Sequence, residues 1–132
     1  LKKTFFLKIL LIFFFPAVVF SQQFFVEVED KNISFLIKIR TFEKYNSTCR
    51  LKLVDVKIEK STSLQDGIIK LRIVKDLQMR SIDKEGPHMG SFAFRKGNNL
   101  PDGTYILDIN NEIYGFLILS RYSVYFDPIN CL

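Results

Sequence analysis

The sequence has no Trp, a single His (His88), two Cys and two Ala among 132 residues. Each scarcity excludes something. One His and two Cys that are far apart give no zinc-ligand spacing, and no glycine-rich phosphate loop is present among the six Gly. Only Ala17 and Ala93 supply the best helix former, while Ile is abundant, so strands rather than helices are expected. The length allows one domain and not two. What is abundant is apolar and aromatic: 48% hydrophobic residues with fourteen Phe and five Tyr, too much for a disordered chain.

The first segment distorts these totals. Lys2, Lys3 and Lys8 precede or punctuate a run from Phe5 to Phe20 without an acid, and its uninterrupted apolar part, Ile9 to Phe20, is short of the about 20 residues that span a bilayer as a helix. Residues 1–21 therefore read as a signal peptide, with Val19 and Ser21 at the −3 and −1 positions and a mature domain over 22–132. No stable membrane span is expected after cleavage. Removal takes three Lys and no acid, which lowers 19 basic residues to 16 against 14 acidic, a net charge of +2. Basic and acidic residues alternate, as in Lys57-Ile58-Glu59-Lys60, so no nucleic-acid footprint is expected. The chain opens on Leu1 rather than Met, as a fragment or a literally translated non-ATG start would.

The mature segment reads as strands. Ile33, Phe35, Ile37 and Ile39 share one face, with Ser34, Lys38 and Arg40 on the other. Cys49, Leu51 and Leu53 share a phase that Val54, Val56 and Ile58 leave, which calls for a β-bulge near Leu53 and Val54. Asp66-Gly67 suits a tight turn before Ile69, Leu71 and Ile73. Leu77 and Met79 continue the alternation, and Phe92 and Phe94 mark a short strand beyond a polar loop, Asp83 to Gly90. Tyr105, Leu107 and Ile109 lead through Asn110-Asn111, which tolerate positive φ, into a return strand from Ile113 to Leu119. A last strand, Tyr122 to Phe126, stops at Asp127-Pro128. Eight or nine short strands without a helical period predict an all-β fold: an antiparallel two-sheet sandwich, immunoglobulin-like or transthyretin-like, with a small β-barrel as the alternative.

The stretch Asn99-Leu100-Pro101-Asp102-Gly103-Thr104-Tyr105-Ile106-Leu107-Asp108-Ile109 resembles the L-P-x-G-x-Y-x-x-x-I segment of the C-terminal β-sandwich sorting domains of type IX secretion. The resemblance implies a late strand of a sandwich and an export address carried behind a larger cargo. The same turn before an aromatic strand is common in prealbumin-type sandwiches, so it bears on fold more than on function.

Three sets of residues are candidates for a role. In an oxidising compartment Cys49 and Cys131 are expected to form a disulfide, contributing roughly 4 kcal/mol in the chain-entropy model. On a two-residue turn Leu107 faces Tyr114 and Tyr105 faces Phe116, so Tyr105, Tyr114, Phe116 and Ile118 would share an aromatic face suited to a protein partner or a second copy. The opposite phase of that strand, Ile113, Leu117 and Leu119, is also apolar, so one of its two faces needs a cover. His88 with Ser81, Ser91 or Asp83 would be the only basis for a hydrolase, without a nucleophile-elbow pattern, so no catalytic residue is assigned. No cofactor or metal is expected. The sequence thus points to an exported, non-catalytic binding or assembly module of the envelope or extracellular space, with a small secreted hydrolase and a stand-alone sorting-type domain as alternatives.

Overall fold

A computed structural model describes residues 23–60, 67–97 and 99–129. The expected signal segment, Asp66 and Cys131 lie outside them. The described residues form eight strands: β1 (Phe24–Asp30), β2 (Ser34–Thr41), β3 (Thr48–Lys60), β4 (Gly67–Ser81), β5 (Met89–Arg95), β6 (Gly103–Ile109), β7 (Glu112–Leu119) and β8 (Val124–Pro128). All belong to one mixed sheet in the order β1-β2-β5-β3-β4-β6-β7-β8. The expectation of a wholly antiparallel two-sheet sandwich is corrected accordingly. Two parallel joins, β5 to β3 and β4 to β6, stitch what would have been separate sheets into one.

The sheet curls until its ends meet, nearly a barrel. Phe24 of β1 packs its ring against Tyr114 of β7 at 6.2 Å, and the Gln23 amide donates to the Tyr114 hydroxyl at 3.3 Å. The Val124 amide of β8 donates to the Asp30 carboxylate at the end of β1, and this bond and the Lys96 ammonium keep that carboxyl below its ordinary range, the ammonium more strongly. Among the described residues no backbone ladder joins β1 to β8. Alternate residues of each strand point inward, and Phe35, Ile37, Ile69, Leu107 and Leu117 fill the interior.

Of three register irregularities, one leaves Leu77, Gln78 and Met79 of β4 unmatched opposite Cys49 and Arg50, and the other two reverse the facing of a strand. In β3 the partner of Leu53 is Ile73 and that of Asp55 is Arg72, so Val54 is the extra residue of a bulge, where the change of phase required one. In β7 Ile113 faces Asp108 but Gly115 faces Leu107, so Tyr114 is the extra residue. That bulge reverses the phase: Leu117 and Leu119 point inward, and Phe116 and Ile118 outward. Gly115 is required there, because a Cβ would collide with the Asp127 carbonyl of β8. Asn110 and Asn111 adopt φ of 53° and 67°, the left-handed pair expected of the turn.

Candidate functional site

The sheet has one weak join. β2 pairs with β5 over the whole length of β5, and β3 pairs with β4 from Thr48 to Lys60, but β3 and β5 pair only at Arg50 and Met89. At that end the strands are pressed together: a Cβ on Gly90 would lie 2.8 Å from the Leu51 carbonyl oxygen. Beyond it the bulge at Val54 bends β3 away, as bulges do where pairing ends. From there Val54 to Lys60 of β3 and Gly90 to Arg95 of β5 are facing edges without a ladder between them.

On the outer surface a groove of about 870 Å³ lies across the joined end of this seam, lined on β3 by Arg50 to Leu53 and on β5 by Met89 to Phe92, and ends where the open edge of β3 begins. Its side chains form rows across the strands. Phe25, Arg40, Met89 and Arg50 are successive register partners on β1, β2, β5 and β3, and Glu27, Lys38 and Ser91 form the next row, with Lys52 beyond them on β3. The Arg40 guanidinium sits 4.7 Å from the centroid of the Phe25 ring, a cation–π distance. Lys38 pairs with Glu29 at 2.6 Å and Lys31 with the same carboxylate at 2.8 Å, and the two ammoniums hold Glu29 down at about 2. Among the described residues Arg40, Arg50 and Lys52 have no carboxylate within 4.0 Å. Glu27 is the one acid among the groove's lining residues.

The inner side of the same seam is apolar and incompletely covered. Val56 and Ile58 are register partners of the buried Leu71 and Ile69 and so share their face, yet they remain 38% and 36% exposed. Leu53, Phe92 and Phe94 are partly buried against the core.

The four residues expected to share an aromatic face do not. Tyr105 and Tyr114 are interior, at 2% and 3% exposure, whereas Phe116 and Ile118 lie on the outer surface beyond the bulge. The Tyr105 hydroxyl donates to the Pro101 carbonyl at 2.6 Å, and burial pushes the Tyr114 hydroxyl up to about 12.

His88 is not a solvated loop imidazole. It is buried and stacks on Tyr45 at 4.0 Å between ring centroids, with the planes 9° apart, and its amide donates to the Thr41 hydroxyl. Its Nδ1 accepts the Cys49 amide at 2.9 Å, which places the proton of the neutral ring on Nε2. Burial, and secondarily the Lys75 ammonium, lower its pKa. Ser81, Ser91 and Asp83 are not among its hydrogen-bond partners, so the residues required by the hydrolase alternative are not brought together. Cys49 is buried and carries no disulfide among the described residues, and its expected partner Cys131 lies outside them. Among the described residues no three His, Cys, Asp or Glu side chains converge as metal ligands, and no helix is long and apolar enough to cross a membrane.

The convergence of Arg40, Arg50 and Lys52 escaped sequence reasoning because it depends on β5 inserting between β2 and β3. The available signal was the outward phase of Lys38 and Arg40 on one strand and of Arg50 and Lys52 on another. A second recess, of about 580 Å³, lies at the end of the sheet beside Tyr45, Lys75 and Asn110. Its polar side chains serve the fold: Thr41 bonds His88 and the Glu43 carbonyl, and Asn110 bonds Ile73. Comparison of the chain with protein-family models, with curated proteins and with solved structures gives no match in any of the three.

Proposed function

We propose that the chain is an exported, non-catalytic binding module built on a small barrel left open at one seam, and that the basic groove over that seam is its ligand seat. The observation that carries this reading is the set of three cations, Arg40, Arg50 and Lys52, gathered around one groove with no carboxylate within 4.0 Å among the described residues. With Lys38 and against the single acid Glu27, these cations leave the lining of the groove predominantly positive, which attracts an anionic ligand and raises its rate of encounter. The N-terminal run from Phe5 to Phe20, with its lysines, supports export.

Fluorescence anisotropy with labelled polyglutamate tests the groove. Binding is expected to weaken as salt rises and to fall by about tenfold or more in Arg50→Glu/Lys52→Glu, since two favourable charge contacts become repulsive. Equal binding by this double variant and the parent overturns the assignment of the groove. Intact-mass measurement of the exported protein tests the other half: a chain starting at Gln22 supports it, and one retaining residues 1–21 refutes it.

A further inference from the structure

We infer that the seam takes an extended acidic peptide, which adds as a strand along the open edge of β3 on the side facing β5. This inference rests on the reading of the groove as a ligand seat and names the chemistry of what occupies it.

Three observations converge on one place. The first is the backbone. From Asp55 to Lys60, beyond the bulge at Val54, one edge of β3 pairs residue for residue with β4 while the other, toward β5, pairs with nothing among the described residues, and Gly90 to Arg95 of β5 mirrors it. Such an edge offers alternating N–H and C=O groups, and an extended peptide is the ligand whose own backbone satisfies both in one ladder. A polysaccharide or a nucleic acid would meet the charges and leave that alternation unmatched.

The second is the inner face of the seam. Val56 and Ile58 of β3 are half out of the core although their register partners Leu71 and Ile69 are buried, and Phe92 and Phe94 on the opposite edge are only partly covered. Alternate side chains of an added strand would point onto these residues and cover them, with the period of two that a strand imposes. Val56 and Ile58 are alternate residues of the open edge, so a strand laid along that edge is a cover that reaches both.

The third is charge. The remaining alternate side chains of the peptide would point to the outer surface, where Arg40, Arg50 and Lys52 stand at the closed end of the seam with no ion-pair partner among the described residues. Asp55 and Glu59 occupy outward positions farther along β3, and Glu59 is paired with Lys70 at 3.4 Å. The acids of the peptide therefore belong at the end near Arg50 and Lys52. An apolar–acidic alternation meets both faces at once, and a basic segment is repelled.

The probe is a blocked peptide of alternating Glu and Val, about six residues long, the usual length of a strand, together with the same peptide N-methylated at alternate amides. N-methylation keeps charge and side chains and removes the donors of one edge. The parent peptide is expected to bind and to protect amides of residues 54–60 and 90–95 from hydrogen exchange, with about tenfold or greater loss on N-methylation and in Arg50→Glu/Lys52→Glu. If both peptides bind equally and no amide gains protection, strand addition is overturned while the groove remains an anion seat. If neither peptide nor polyglutamate binds, both readings fall. Tighter binding of heparin or duplex DNA than of the peptide overturns the choice of a polypeptide. A dimer in sedimentation, with residues 54–60 already protected in the protein alone, assigns the edge to a second copy and overturns the inference as well.

Discussion

Ile58 and Ile69 are register partners across β3 and β4 and point to the same side of the sheet, but Ile69 is 1% exposed and Ile58 36%. Val56 and Leu71, one step along, differ in the same way. The two members of each pair share residue chemistry, strand type and facing. What separates them is the next neighbour: β4 is bonded on its far side to β6, whereas β3 has no ladder on its far side there among the described residues. Alternation therefore decides which side of a sheet a residue faces. Burial depends on a second flanking strand, and that strand comes from a distant part of the chain.

Substitutions can break this contrast, and the largest effect is expected in the closed wall. Tyr114→Lys replaces the buried ring packed against Phe24 by an ammonium that can reach the Glu112 carboxylate, 3.4 Å from the tyrosine hydroxyl; loss of the ring and burial of the charge are expected to cost more than about 4 kcal/mol and to unfold the protein cooperatively in a thermal melt. A folded, stable variant would place Tyr114 at the surface. Next comes a matched pair. Leu71→Ala should cost about 2–5 kcal/mol and Val56→Ala less than about 1 kcal/mol in urea unfolding, because the second removes atoms already part-hydrated. Equal losses would mean that the seam is as closed as the wall.

A smaller loss is expected at the turn joining β6 to β7. Asn110 uses its side-chain amide as a strand would use its backbone: Oδ1 accepts the Ile73 amide at 2.9 Å, Nδ2 donates to the Ile73 carbonyl at 3.0 Å, and its own amide donates to the Leu71 carbonyl. The β4–β6 ladder is thereby prolonged past the end of β6. Asn110→Gly preserves the positive φ and removes both side-chain bonds, for an expected loss of about 1–3 kcal/mol. No loss would show that water replaces the amide at no cost.

The smallest effect is a slope with pH. His88 is held below its ordinary value of 6.5 in the folded protein, chiefly by burial and then by Lys75. As pH falls through 6.5 the unfolded chain takes up a proton first, so the contribution of neutral His88 declines from there and levels off once the folded form also protonates. Protonation would also set an Nδ1–H against the Cys49 amide, donor against donor. His88→Gln, which retains an acceptor, is expected to flatten the slope of melting temperature between neutral and mildly acidic pH. An unchanged slope would assign it to carboxylates instead.

Much of this architecture is local and could be read directly. The alternation through Phe35, Ile37 and Ile39, the bulge at Val54, the Asn110-Asn111 turn and the short strand at Phe92 and Phe94 follow from neighbours within a few residues. The second bulge, at Tyr114, had a signal in Gly115, since a glycine inside a strand marks a bulge or a close backbone approach. Both hold there, and without that reading Phe116 and Ile118 were placed on the face of Tyr114. The burial of His88 and the gathering of Arg40, Arg50 and Lys52 had no comparable signal. Each depends on the loop and strand from Asp83 to Arg95 crossing to β2 and β3, a choice made by the packing of the whole sheet.

The strand order has a kinetic meaning. The β1–β2, β3–β4 and β6–β7 hairpins close between neighbours, but Arg40 meets Met89 across 49 residues and Phe35 meets Phe94 across 59. Sheets dominated by such distant pairings pay the loop-closure entropy before contact and fold slowly, in milliseconds to seconds. While β5 is unplaced, β2 and β3 both present raw edges, and the single bridge at Arg50 and Met89 is expected to be the last join made and the first lost. Gly90→Ala, which sets a methyl group against the Leu51 carbonyl, should then speed unfolding in stopped-flow denaturant jumps and leave the folding rate nearly unchanged. A slowed folding limb would move that join early, into the nucleus. The edge proposed to receive a peptide strand is thus the place where the chain itself is expected to arrive latest.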